Sequence, residues 1–470
     1  MKSISLCISI LVISLHTVFA QVDRSHYPEP APAPSINIAD AETFVLPNGL
    51  KVFVVENHKL PRVTFSLKLD RDPILEGDKA GYTSLVGPLM MSGTTSMNKD
   101  QLDEAIDLIG ANMNVSSTSA IASSLTKHKE TLLNLFADVL FNPSFPQEEL
   151  DKLKKQTLSA LAADKDDPTS IGMVVSNAVL YGKDHPYGEN ITEETVNAIE
   201  VEDIINYYKS YFRPNIAYMA IVGDISKNEA ETLIKKYFGD WEKATVPSHK
   251  WRKATLPANN QVILVDRPAS VQSVINVTYP IELQYNSPDR ISATLLTYIL
   301  GGGSSSRLFM NLRENKGYTY GAYSSISPDR ISGNFEADAS VRTEVTDSAA
   351  YQFFYELKNI TEKTITEEEV AAAKAYLTGS FGRSLENPAT IANFALNTEI
   401  YDLPEDYYKN YLKNLDAVTV EELNSIAPKY IKPAHAYLII VGNTSVYKDT
   451  IGQFGEVKNY TVEGDPEKSN

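Results

Sequence analysis

Apolar positions along the chain fall into short continuous runs and longer amphipathic stretches. Phe44-Val45-Leu46 and Val52-Phe53-Val54-Val55 are of the first kind, with Asn48-Gly49 between them. Asn-Gly readily adopts the left-handed backbone of a tight turn, so these residues predict a β-hairpin opening the folded sequence. Two later short runs, Ala217–Val222 and Ala436–Val441, each end at a glycine and predict strands. The stretches between them carry helix-start signals. Thr366-x-x-Glu369 is a capping box, and Ser144 with Pro146 predicts the start of the corresponding earlier helix. Strands clustered in hairpins, with helices between the clusters, predict an α+β protein built from mostly antiparallel sheets covered by helices.

The pattern repeats. Residues 201–223, VEDIINYYKSYFRPNIAYMAIVG, align without a gap on residues 420–442, VEELNSIAPKYIKPAHAYLIIVG. Tyr211, Pro214, Ala217, Tyr218 and Gly223 match Tyr430, Pro433, Ala436, Tyr437 and Gly442. At nearly the same offset, Glu148-Glu149-Leu150 through Asp167-Pro168 matches Glu368-Glu369-Val370 through Asn387-Pro388. Length alone favours about three domains, but the repeat predicts two copies of one domain. The expected boundaries are a signal peptide at 1–20, a Pro-rich lead-in at 21–40, a first domain at 41–242, a linker at 243–260 and a second domain at 261–462.

Composition narrows the function. The chain of 470 residues is 43% hydrophobic and 22% charged, ordinary values for a globular protein. Its 60 acidic against 43 basic residues give a net charge of −17, which argues against nucleic acid as a partner, since phosphate binding draws on Lys and Arg. Lys2, the apolar stretch Ile4–Leu15 and Val18-Phe19-Ala20 have the layout of a cleavable export signal. No later segment reaches about 18 consecutive apolar residues, so no membrane anchor is expected. The single cysteine, Cys7, lies in the signal. An exported chain of this size without disulfides suits a bacterial periplasm.

Candidate chemistry is sparse. His26, His58, His128, His185, His249 and His435 include no pair three or four residues apart, so no helix face offers two imidazoles to a metal. Gly301-Gly302-Gly303 with Ser304–Ser306 lacks the Gly-Lys-Ser/Thr of a phosphate loop.

Longer motifs are more specific. NGLKVFVVEN near the start, YFRPNIAYMAIVGD closing the first half and GGGSSSRLFMNLRENKGYTYGAYSS in the second resemble the M16 metallopeptidases, the pitrilysin, insulinase and mitochondrial processing peptidase group. Active members of that family carry HxxEH on a helix after the first strands, with two His holding Zn²⁺ and the Glu acting as general base. The matching segment, Gly81 to Thr94, has Ser84 and Pro88 at the His positions and Gly87 at the Glu. A later Glu ligand would stand eight residues before Pro168 of Asp166-Asp167-Pro168, and Ala160 occupies it. The resemblance therefore implies no metal site in this chain, and Pro88 beside Gly87 predicts that the helix ends or kinks there. His185-Pro186-Tyr187-Gly188 resembles a structural loop of the family.

In two-chain M16 enzymes the zinc-free chain contributes an Arg and a Tyr to substrate bound by the other chain. The resemblance places these at Arg313 and Tyr320, and assigns substrate handling to the loop Gly301, Gly302 and Gly303. Gly110–Ser116 resembles the edge strand to which substrate peptides add. The implied function is that of a zinc-free periplasmic subunit of a heterodimeric M16 metalloendopeptidase. Such a subunit positions peptides for an HxxEH-bearing partner that holds the Zn. The alternative is a peptide- or protein-binding scaffold on an inactive peptidase fold.

Overall fold

The computed structural model describes residues 41–467. The expected signal peptide and Pro-rich lead-in lie outside the described residues. Twelve strands form two six-stranded, mostly antiparallel sheets. In the first half they are β1 (Glu42–Val45), β2 (Lys51–Glu56), β3 (Arg62–Leu69), β4 (Asn112–Val115), β5 (Ser119–Leu125) and β6 (Ala217–Gly223). The second half holds β7 (Gln261–Asp266), β8 (Gln272–Ile281), β9 (Thr319–Ser327), β10 (Gly333–Arg342), β11 (Tyr437–Gly442) and β12 (Glu456–Asn459). The strand orders are β1-β2-β6-β3-β5-β4 and β12-β7-β11-β8-β10-β9. The α+β expectation is thereby met.

The repeat is visible in the helices. Gln147–Asp164 and Glu367–Ser384 are both 18 residues long, and Val201–Tyr211 and Val420–Tyr430 are both 11. The Asn48-Gly49 turn joins β1 and β2 in an antiparallel pair, Val45 standing opposite Lys51. Among the described residues the second half has no such hairpin. There the C-terminal β12 fills the edge place and runs parallel to β7.

Period-2 alternation decides which face of each sheet is buried. Val63, Phe65, Leu67 and Leu69 of β3 enter the first core, while Thr64, Ser66 and Lys68 point the other way. Phe335, Ala337, Ala339 and Val341 of β10 enter the second core, with Glu336, Asp338 and Ser340 opposite. Each half covers the apolar face of its own sheet with its own helices.

The opposite faces are covered by exchange. Helix Pro168–Tyr181 of the first half lays Ile171 and Val175 on Ile263, Val265, Ile439 and Val441 of the second sheet. Helix Pro388–Ile400 returns the arrangement, setting Ala392 and Leu396 on Phe53, Val55, Ala220 and Val222 of the first. Fully burying one such aliphatic side chain contributes about 1.5–3 kcal/mol, so each half stabilises the other's sheet. Polar contacts join them as well: Arg330 Nη1 lies 2.6 Å from Asp70 Oδ1, and the Tyr187 hydroxyl donates to Asp329 Oδ2 at 2.9 Å.

Two local expectations are corrected. Thr366 caps its helix as predicted, but the earlier helix begins at Gln147 without a side-chain cap, and Ser144 takes no part. Phe145 stands between them at φ 47°, and the Ser144 amide donates to Gly93 O instead. The helix Tyr82–Met90 runs through Gly87 and Pro88 and ends two residues later, so its end falls slightly beyond the expected place. Leu85, Val86, Leu89 and Met90 are at most 4% exposed. Their burial outweighs the roughly 3 kcal/mol that an interior proline costs.

Candidate functional site

The helix Tyr82–Met90 holds the segment that the sequence motif aligns with a metal-binding helix. Ser84 and Pro88 share its exposed face, one turn apart. The Ser84 hydroxyl donates to Gly81 O at 2.6 Å, and Pro88 has no donor atom to offer a metal. Gly87 faces inward, where the end of β4 presses on it. A β-carbon at Gly87 would stand 2.0 Å from Val115 O and 2.5 Å from Ser116 Cα. No side chain fits, so a general-base carboxylate is excluded by space as well as by sequence. Ala160 is exposed on helix Gln147–Asp164 and brings no ligand atom. These four positions do not fit a zinc ion. Among the described residues no group of three or more His, Cys, Asp or Glu is placed to hold any metal.

His185 is 1% exposed and packed among Tyr181, Tyr187 and Trp251. Its Nδ1 accepts from the Tyr187 amide at 3.1 Å. Burial, reinforced by the nearby Arg252 charge, holds its pKa below the ordinary value. It is a neutral packing residue.

The second half gathers its candidate residues around one strand, β9. Arg313 lies in the π-helical turn Met310–Asn315 that leads into it. Its Nη1 donates to the Tyr320 carbonyl at 3.0 Å, and its guanidinium sits 4.8 Å over the Phe309 ring. Tyr320 itself is 86% exposed. A bulge explains that orientation. The β9–β10 register shifts between Ala339 and Val341, so Tyr320 and Gly321 together face the single residue Ser340. An extra residue of this kind twists a strand and re-aims the side chain beside it.

The glycine loop meets the same strand further along. A β-carbon on Gly301 would lie 2.2 Å from the Ser324 amide, and one on Gly302 would strike the Tyr298 ring. Gly303 lies over the Tyr298 hydroxyl. None of the three has positive φ, so they serve close approach rather than an unusual turn. Arg313, Tyr320 and the loop therefore act on one edge strand, although none of the three glycines offers a side chain to a ligand.

Sequence reading passed over the polar face of the second sheet. Asp338 on β10 stands directly across from Asn276 on β8 and from Tyr323 on β9. Asp338 keeps an exposed side, yet desolvation by the groups packed around it first, and the neighbouring Glu336 second, push its carboxyl up to about 6. Its only sequence signal is alternation, which places Glu336 and Asp338 on the face away from the core without saying what they face.

Comparison with known proteins agrees with this geometry. Residues 51–183 match the family model for insulinase (peptidase family M16), and residues 198–377 match the model for the peptidase M16 inactive domain. An uncharacterized zinc protease of Streptomyces coelicolor is 24% identical over 398 residues, covering 81% of this chain and 85% of its own. The Helicobacter pylori protein YmxG, named a non-peptidase homolog, is 20% identical over 408 residues, 84% of this chain and 93% of its own. Among solved structures, a peptidase M16 inactive domain from Pseudomonas fluorescens superposes with a TM-score of 0.78 at 23% identity. It covers 86% of this chain and 98% of that one. The periplasmic protease PqqL of Escherichia coli gives 0.71 at 16% identity, over 89% of this chain and 49% of its own. With the motifs, the paired sheets and these matches in agreement, the chain belongs to peptidase family M16 and has the fold of its inactive domains.

Proposed function

We propose that this chain is the non-catalytic subunit of a heterodimeric M16 peptidase, working in the periplasm beside an HxxEH-bearing, zinc-holding partner. The observation that carries the reading is the contrast between the two halves. Where the general base would stand there is no room for a β-carbon, yet Tyr320 is presented to solvent by a bulge and fixed from behind by Arg313. An exposed hydroxyl in a chain whose own metal positions hold no ligand atoms suits donation to a peptide held by another subunit. The Tyr320 O–H would donate to the oxygen that gains charge as the scissile carbonyl is attacked. Arg313 would hold the strand so that this donor arrives in place, and the close packing of Gly301 on β9 would stiffen the same edge. The export-signal pattern at 1–20 and the periplasmic setting of PqqL support the location.

The test is reconstitution. The purified chain alone should hydrolyse no peptide, and adding the partner should give activity. Tyr320→Phe should then lower kcat at least about tenfold with KM little changed, as loss of one oxyanion donor typically costs 10²–10³. Arg313→Ala should follow in the same direction. A pair indifferent to both substitutions overturns donation in trans. Specific binding of a protein target, with no HxxEH chain able to restore hydrolysis, would favour the scaffold reading instead.

A further inference from the structure

The turn that carries Arg313 is not an ordinary helix. Over Met310–Asn315 the chain follows a π-helix, and the Lys316 amide donates back to Asn311 O at 3.0 Å. Such a turn is rare and holds one residue more than an α-turn, so it persists where contacts outside it favour it. Relaxing it to α geometry would rotate the chain that follows by one residue's step, roughly 100°. The entry to β9 would shift, and the Arg313 guanidinium would leave the Tyr320 carbonyl.

An anchor for the turn lies behind it. The Asn311 amide nitrogen donates to Glu356 Oε1 at 2.6 Å and to Gln352 Oε1 at 3.0 Å, both on helix Thr346–Thr361. Asn311 is 9% exposed and Glu356 7%. Burial pushes the Glu356 carboxyl above its ordinary pKa, while the Asn311 bond and the Arg307 charge draw it back. A carboxylate this deep is expensive to leave unpaired, so the bond holds firmly whatever it joins.

The other repeat does without this anchor. With Gln147 aligned on Glu367, Leu132 and Phe136 stand where Gln352 and Glu356 stand. Both are fully buried in the first core. The helix that leads into β4 there, Lys99–Leu108, is a regular α-helix with Leu102 and Ile106 turned inward. The fold therefore accepts an apolar contact at this place. Among the described residues the π-turn and its polar anchor occur only in the half that carries Arg313 and Tyr320.

Resting on the reading of Tyr320 above, we infer that Glu356, acting through Asn311, is a positioning residue for Arg313 and Tyr320. The carboxylate grips the Asn311 amide, the amide holds the π-turn, and the turn aims the guanidinium at the Tyr320 carbonyl.

Asn311→Asp tests it, keeping the side chain's shape but setting acceptors against Glu356 in place of donors. Hydrogen exchange is read by mass spectrometry on the mature chain without a partner. It should speed up at least about tenfold at residues 316–318, whose amides the turn holds, with β8 and β10 unchanged. In the reconstituted pair kcat should fall by about tenfold or more with KM little altered. Adding Glu356→Gln reverses the bond's polarity, because the new amide donates to the new carboxylate, and should recover both readings. Asn311→Ser shortens the donor's reach and should give the same two changes if the first variant does not fold. Native exchange at residues 316–318, exchange rising equally in β8 and β10, or a double variant that recovers neither reading overturns the inference. A turn loosened as expected in a pair whose kcat is unaltered would uphold the anchor and refute donation by Tyr320 instead.

Discussion

Gly87 gives the sharpest test of how the metal position was lost. Substitution by alanine places a methyl 2.0 Å from Val115 O and 2.4 Å from its carbonyl carbon. Ordinary carbon–oxygen contacts need well over 3 Å, so the helix Tyr82–Met90 must retreat from residues 115–116 by more than an ångström. That helix carries Val86 and Leu89, both fully buried, and cannot retreat without opening gaps on its other side. Overpacking of this kind costs about 1–3 kcal/mol and sometimes more. Against it stands the roughly 1 kcal/mol by which alanine is the better helix former. The net expectation is a loss of about 1 kcal/mol. In a cooperative unit of 150–250 residues, each kcal/mol moves Tm by about 2–4 °C, so the melt should fall by about that much. Circular dichroism melts and urea midpoints of the native chain and Gly87→Ala measure it. A solvent-facing helix glycine would respond the other way, gaining about 1 kcal/mol. A variant as stable as the native chain, or more so, refutes the argument that β4 seals this position.

Other outcomes follow from the same geometry. Equilibrium dialysis against excess zinc should leave well under one ion per chain, and a stoichiometric, chelator-sensitive ion would contradict the reading of Ser84, Gly87, Pro88 and Ala160. Leu396→Ala, in the second half, should cost about 2–5 kcal/mol and weaken hydrogen-exchange protection in β2 and β6 of the first sheet, on which Leu396 packs. Loss of protection confined to the second half would show that the helix exchange is not a stabilising contact. The Asp338 carboxyl, pushed up to about 6 from 3.8, binds its proton more tightly folded than unfolded. Its contribution to stability is therefore complete below about pH 3.8 and is lost as pH rises through about 6. Asp338→Asn should gain in urea midpoint relative to the native chain between pH 4 and pH 7, and a relative decline over that range would refute the assignment.

Much of this protein is written locally. The Asn48-Gly49 hairpin, the Thr366 cap and the alternation along β3 and β10 depend on neighbours within a few residues, so the sequence determined them. The repeat announced two copies of one α+β unit, and the motif around residues 81–94 carried the missing ligands in plain view. Tertiary structure alone decided the rest. The helix through Pro88 persists because burial of Leu85, Val86, Leu89 and Met90 outweighs a local propensity that argued for a break. Gly87 is sealed by the backbone of residues 115–116, and the Arg313 guanidinium is turned onto the Tyr320 carbonyl. Neither contact leaves a periodic trace. The exchange of helices Pro168–Tyr181 and Pro388–Ile400 between sheets is hidden for the same reason: an apolar stripe records that it must be buried, and not against which surface. Glu336 and Asp338 read as two solvated acids in a strand until β8 brings Asn276 beside them, because alternation assigns a face but only packing determines what that face meets.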